Sequence, residues 1–138
     1  YEQEKFCRTQ KELLDICEDR RLKICGQPIS RFYDPGKVHL GKDFYESEWL
    51  LPVKKPDKEK EDLIEFPETW VVGTCHIGSY SNISLQYERV LKFAEENEVK
   101  IAGTPMEEYV INCGNIYGSE NFVTNVMFPI NNVGSEIE

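Results

Sequence analysis

The chain repeats itself. The segment from Leu13 to Val53 lies on the segment from Val90 to Ile130 without a gap, an offset of 77 residues. The identities fall on residues that bend the backbone or fill a core: Leu14 on Leu91, Glu18 on Glu95, Lys23 on Lys100, Ile24 on Ile101, Gly26 on Gly103, Pro28 on Pro105, Gly41 on Gly118 and Pro52 on Pro129. Close matches fill in between, with Phe32 on Tyr109, Tyr45 on Phe122, Ser47 on Thr124 and Val53 on Ile130. Two copies of one unit make a pseudo-symmetric domain, and the seam between copies is a natural cleft.

Within the second copy, Ile83, Tyr87, Val90, Leu91 and Ala94 recur at helical spacing; in the first, Phe6, Gln10, Leu13, Leu14 and Cys17 hold the same positions. Each set predicts one amphipathic helix of about four turns. Two strands follow each helix, about Ile29–Asp34 and Phe44–Val53 in the first copy and about Met106–Asn112 and Phe122–Ile130 in the second. The stretches between them, Pro35–Lys42 and Cys113–Ser119, combine Gly with Pro or Asn and predict hairpin loops. One more strand, about Trp70–Ile77, precedes the second helix. The unit is therefore strand, helix, strand, strand. The fold expected is α+β: two such units sharing an antiparallel sheet, helices on one side, and a ligand groove between units. The first copy lacks its opening strand, because the position equivalent to Gly78 is Tyr1. That strand is expected upstream, since its loss exposes a sheet edge.

The organisation expected is a single domain over residues 1–138, with repeat units at 1–53 and 67–131, a linker at 54–66 and an acidic tail at 132–138. The linker's charge run, from Lys54 to Asp62, balances lysines against acids and reads as a solvated crossover.

Charge and cysteine usage narrow the function classes. A net charge of −9 argues against gripping a phosphate backbone directly and favours cationic or neutral partners. No apolar run approaches the roughly 20 residues that span a bilayer, so no membrane partner is expected. The cysteines Cys7, Cys17, Cys25, Cys75 and Cys113 are odd in number and form no CxxC pair; they predict thiols used as small core residues in a reducing, cytoplasmic setting. His39 and His76 have no ligand-like spacing to a cysteine, so neither a metal nor a cofactor is implied.

Strand alternation separates the faces. Tyr45, Ser47, Trp49, Leu51 and Val53 share one face of the first copy's last strand, and Phe122, Thr124, Val126, Phe128 and Ile130 share one face of the second's. These sets are expected to bury against the helices. The opposite faces carry Phe44, Glu46, Glu48 and Leu50, and Asn121, Val123, Asn125 and Met127. Their mixture of carboxylate, amide, thioether and aromatic suits a small-molecule groove as well as a solvated sheet face.

Together these segments resemble the GyrI-like effector-binding domain found at the C-terminus of MerR- and AraC-type multidrug-responsive regulators and as free-standing proteins. The resemblance rests on Gly26–Asp34, on Glu46–Val53 with its closing Pro-Val, and on His76-Ile77-Gly78-Ser79-Tyr80 leading into the second helix. It continues through Ile101–Pro105 followed by Glu107-Glu108-Tyr109, and through Thr124–Ile130. It implies a domain that binds a small hydrophobic or cationic ligand, with an acidic residue pairing the cation and aromatics stacking on flat rings.

By position in that resemblance, Glu48 is the expected counter-charge, with Phe32, Tyr33, Phe44, Tyr80, Tyr109, Asn125 and Met127 around the ligand. Trp49 is the weakest aromatic candidate, because its parity points to the core. Asn125 stands where the family has Glu, which leaves the groove chemically one-sided. The resemblance further implies DNA contact only through a separate upstream domain and a homodimer in the full-length regulator. Two alternatives stay open: a stand-alone hydrolase of reactive cyclopropane-type compounds, with Glu48 and Tyr109 as catalytic pair, and a gyrase-inhibitor-like interaction module.

Overall fold

A computed structural model describes residues 2–32, 47–56 and 63–131. Its elements are α1 (Glu2–Asp19), β1 (Ile29–Phe32), β2 (Ser47–Leu50), β3 (Val71–Ile77), α2 (Ser84–Glu96), β4 (Met106–Ile111) and β5 (Val123–Pro129). Short 3-10 turns at Tyr80–Asn82 and Ser119–Asn121 precede α2 and β5. All strand pairings are antiparallel, in the order β2-β1-β4-β5-β3. The architecture is thus an α+β open sheet with two helices, as the alternation of periodicities predicts.

The same offset of 77 reappears in the hydrogen bonding. The isolated bridges Ile24↔Val53 and Ile101↔Ile130 are equivalent positions. So are the bonds from Cys25 N to the Pro52 carbonyl (3.0 Å) and from Ala102 N to the Pro129 carbonyl (2.8 Å). Both helices stop in one way. Leu22 N bonds the Cys17 carbonyl and Val99 N the Ala94 carbonyl, each at 2.8 Å, while Arg21 and Glu98 take left-handed φ values of 54°. This is a Schellman end, which satisfies carbonyls that the helix leaves over. A non-glycine residue is strained there. Glu98→Gly is therefore expected to raise stability by about 0.5–1 kcal/mol, read by urea denaturation, the gain limited by glycine's greater unfolded-state freedom. The paired glycines and prolines also have a physical basis. A Cβ on Gly26 would stand 3.0 Å from Pro52 Cγ, and one on Gly103 3.0 Å from Pro129 Cγ. The backbone at each glycine approaches the ring too closely for a larger residue.

Where the two units meet, β1 pairs with β4 through Ile29↔Glu108, Ser30↔Glu107 and Arg31↔Met106. Exchanging residues 77 apart turns the first pair into the third and the middle pair into itself. A local two-fold axis therefore runs through Ser30 and Glu107. The edge that β3 forms beside β5 has no counterpart beside β2 among the described residues.

The core lies between the sheet and α2. Tyr87, Val90, Val126 and Phe128 form its centre, with Val72, Ile83, Leu91 and Ile101 packed around them. Tyr87 meets Phe128 edge-on, with ring centroids 5.8 Å apart. Phe122, Thr124, Val126 and Phe128 are all buried, as their shared parity predicts. The cysteines depart from expectation. Cys17 alone is buried, at the position equivalent to Ala94, whereas Cys7, Cys25 and Cys75 are exposed and Cys113 is half-buried. Thiol hydrophobicity is too small to force burial where the element itself faces solvent. No described helix is long and apolar enough to cross a membrane.

Candidate functional site

One register row crosses the sheet through Trp49, Ser30, Glu107 and Val126, on β2, β1, β4 and β5. Val126 belongs to the core under α2, so the whole row faces the helices. Glu107 is thereby drawn into the interior, 5% exposed. Its two oxygens are held separately. The Tyr87 hydroxyl, from α2, donates to Oε2 at 2.5 Å, and the Tyr109 hydroxyl donates to Oε1 at 2.8 Å. Burial pushes the Glu107 carboxyl above its ordinary value, and the two phenol bonds pull it partly back. Among the described residues no basic side chain pairs with it.

Aromatic rings enclose this carboxylate. Trp49 stacks on Tyr109 with centroids 5.3 Å apart, and Tyr80 meets Tyr109 edge-on at 5.6 Å. Tyr80 also leans on Phe122 at 5.4 Å. Burial, and next the Glu107 charge, push the Tyr109 hydroxyl far up, while a hydrogen bond with Ser30 works against them. Burial likewise raises the Tyr80 hydroxyl, with the nearby Cys113, Glu107 and Cys7 adding to it. Both phenols therefore stay protonated at neutral pH, Tyr109 as a donor to Glu107 and both as ring surfaces.

The scaffold holds these rings from both ends. At the end of β3, the His76 Nε2–H donates to the Ser79 carbonyl at 2.7 Å, and Ser79 Oγ accepts from Ser81 N at 3.3 Å. Together they shape the turn that presents Tyr80. After β4, the fully buried Asn112 donates through Nδ2 to the Tyr109 carbonyl at 3.0 Å.

The candidates named from the sequence divide between the two sheet faces. Tyr80 and Tyr109 join the cluster around Glu107. Glu48, Asn125 and Met127 lie on the outer face. There Glu48 is ion-paired with Arg31, its register partner, and the Arg31 guanidinium lies 5.0 Å over the Phe66 ring. Asn125 Nδ2 donates to Glu108 Oε1 at 2.9 Å. Arg31–Glu48 and Glu108–Asn125 are equivalent pairs in the two units, so the acid-to-amide change at Asn125 is matched by a base-to-acid change at Glu108. Because Trp49 is stacked on Tyr109, the adjacent Glu48 points the other way, and Glu48 and Tyr109 do not converge on one substrate. Tyr33 and Phe44 lie outside the described residues, as does the side chain of Phe32.

Three residues of the cluster, Glu107, Tyr87 and Ser30, are not among the site candidates that the sequence offers, and Trp49 is the weakest of its aromatic candidates. The signal for Glu107 was present. It shares strand parity with Tyr109, and its equivalent in the first unit is the small, neutral Ser30. Among the described residues no group of three or more His, Cys, Asp or Glu side chains converges as a metal site.

No protein-family model matches the chain, and no curated protein is significantly similar to it. Solved structures do resemble it. The chain aligns with EcmrR in a cryo-EM structure of an EcmrR–DNA complex, in EcmrR-RPo, at a TM-score of 0.69 and 19% identity, over 91% of this chain and 49% of that one. It aligns with the crystal structure of the EcmrR C-terminal domain at a TM-score of 0.64 and 19% identity, over 80% of this chain and 70% of that one. The fold is therefore that of the EcmrR C-terminal domain, and the chain spans about half the length of the EcmrR chain in the DNA complex.

Proposed function

We propose that residues 1–138 form a small-molecule effector-binding domain of a bacterial-type transcription regulator, and that the cluster around Glu107 holds a hydrophobic, cationic ligand. One observation carries this reading. A buried carboxylate sits among aromatic rings with two phenol donors and no basic partner among the described residues. An uncompensated buried charge is costly to a fold, and a lipophilic cation offsets that cost. Trp49 and Tyr80 occupy the ring surface of Tyr109, so a planar ligand enters by taking the place of one of them. Its cation then meets Glu107 while the remaining rings stack on it.

The likeness to EcmrR, a protein solved in complex with DNA, supports a regulatory context. In this reading DNA contact belongs to a separate domain, consistent with the net charge of −9. The full-length regulator is a homodimer. The ligand acts by binding one arrangement of the two units more tightly than the other, which biases the attached domain.

The counter-charge role passes from Glu48 to Glu107, because Arg31 already neutralises Glu48. Titration of a lipophilic monocation, such as tetraphenylphosphonium, by intrinsic fluorescence tests this. Glu48→Gln is expected to leave its affinity within about twofold, since a half-exposed, internally paired carboxylate adds little to binding at a distance. Loss of affinity in Glu48→Gln with none in Glu107→Gln would sink the assignment.

A further inference from the structure

Cys7 lies on α1 and Cys113 just beyond β4. Neither is in a disulfide, and the Cys7 thiol lies close enough to Cys113 to act on it. The contact is part of a docked surface. Gln10, one turn along the same helix face, brings its Oε1 to 3.3 Å from where a Cβ on Gly114 would stand. The loop itself is braced, with Gly114 N donating to Asn112 Oδ1 at 2.8 Å and Asn112 N donating to Asn115 Oδ1 at 3.1 Å. Two positions of α1 thus meet two consecutive positions of the β4–β5 loop, with the Tyr80 hydroxyl close enough to feel both thiols. By contrast, Cys25 and Cys75 are exposed and make no hydrogen bond to another thiol.

We propose that Cys7 and Cys113 are an oxidisable dithiol, which a low-molecular-weight disulfide of the glutathione type converts into a disulfide that staples α1 to the β4–β5 loop beside the aromatic cluster. The exposed Cys7 loses its proton and attacks one sulfur of the oxidant. A Cys7–sulfur bond forms, the oxidant's S–S bond breaks, and one small thiolate leaves and takes up a proton. Cys113 then attacks the Cys7 sulfur and expels the second small thiol. Two protein thiols are oxidised and one small disulfide is reduced to two thiols. Burial, and next the hydrogen bond to Cys7, push the Cys113 thiol up to about 12. That leaves the first attack to Cys7 and the closing step to Cys113.

The experiment needs no ligand, so its outcome is independent of the effector reading. The whole chain is incubated with glutathione disulfide, remaining thiols are alkylated, and peptides are mapped without reduction. The expected result is a Cys7–Cys113 cross-link as the main protein disulfide, with Cys25 and Cys75 stopping at glutathione adducts. A cross-link that closes so long a loop is expected to raise Tm by at least about 5 °C over the reduced chain. Cys7→Ser and Cys113→Ser should each abolish both the cross-link and the rise. Separate alkylation of Cys7 and Cys113 after oxidation would overturn the proposal. So would a cross-link that leaves Tm unchanged or lowered, because it would then join residues apart in the native fold.

Discussion

Glu107→Gln is expected to weaken binding of a lipophilic monocation by at least about 30-fold, while leaving a neutral ligand of the same shape within about threefold. The magnitude follows from what is removed. Losing one partner of a buried, hydrogen-bonded charge pair costs about 2–5 kcal/mol, and each 1.4 kcal/mol is about tenfold in affinity. The amide keeps the size of the side chain and an acceptor for the Tyr87 hydroxyl, so the rings keep their places. Parallel titrations of tetraphenylphosphonium and a neutral triaryl analogue separate the two effects. Equal losses for both ligands would mean the site had collapsed rather than lost its counter-charge.

The same substitution has an opposite effect on the fold. Burial holds the Glu107 carboxyl above its ordinary value of 4.5. The native state therefore binds more protons than the unfolded state at pH values between 4.5 and the raised value. Stability falls as pH rises through that window and is greater at its acidic end. Glu107→Gln removes this slope and raises stability above the window. Thermal melts from pH 4.5 upward show both changes. A buried charge that its neutral isostere would relieve costs the fold stability.

Tyr87→Phe is the second large effect, expected to destabilise the chain by about 2–3 kcal/mol where Glu107 is ionised, above its raised value. The phenol lies in the centre of the core and donates at 2.5 Å to Glu107 Oε2. Deleting only the hydroxyl preserves the ring and its edge-on packing against Phe128. What is lost is a hydrogen bond to a charged group, and a buried carboxylate oxygen is left without its donor. The penalty is expected to shrink to about 1 kcal/mol once Glu107 is protonated, because the bond lost is then a neutral one. Urea denaturation of both chains on either side of the pH range in which the wild-type stability changes reads the difference. A penalty that is the same on both sides of that range would mean that Tyr87 acts through packing alone.

Much of the backbone was legible from residue spacing. Gly26 with Pro52 and Gly103 with Pro129 mark where helix-to-strand connections press against the closing strand residue, and a proline ring against a bare Cα is a local constraint. The strands come out shorter than expected at their ends. β2 stops at Leu50 and β5 at Pro129, because Pro52 and Pro129 have no N–H to extend a ladder, and Val53 and Ile130 return only as single bridges. Parity along β5 placed Phe122, Thr124, Val126 and Phe128 together because alternation is a property of the strand itself. The candidate site was only half legible. Tyr80 and Tyr109 are legible, but the acid that the resemblance points to by position is Glu48. Its partner Arg31 lies in a different strand, and only the β1–β2 register joins them.

The sequence by itself determined the described elements, their order and the sets of residues along a strand that share a face. All of these depend on contacts within a few residues or on one repeated offset. Only the tertiary structure decided which residues of different strands come together on the helix-covered face. Period-two alternation puts Trp49 and Val126 on the faces expected against the helices, but does not say that Ser30 and Glu107, on the two strands between them, share that side. The β1–β4 register, which brings Ser30 opposite Glu107 on the local two-fold, and the packing of α2, which delivers Tyr87 from 20 residues away, settled that question. A carboxylate is solvated or buried according to what lies over it, and the residue that lies over Glu107 comes from another element.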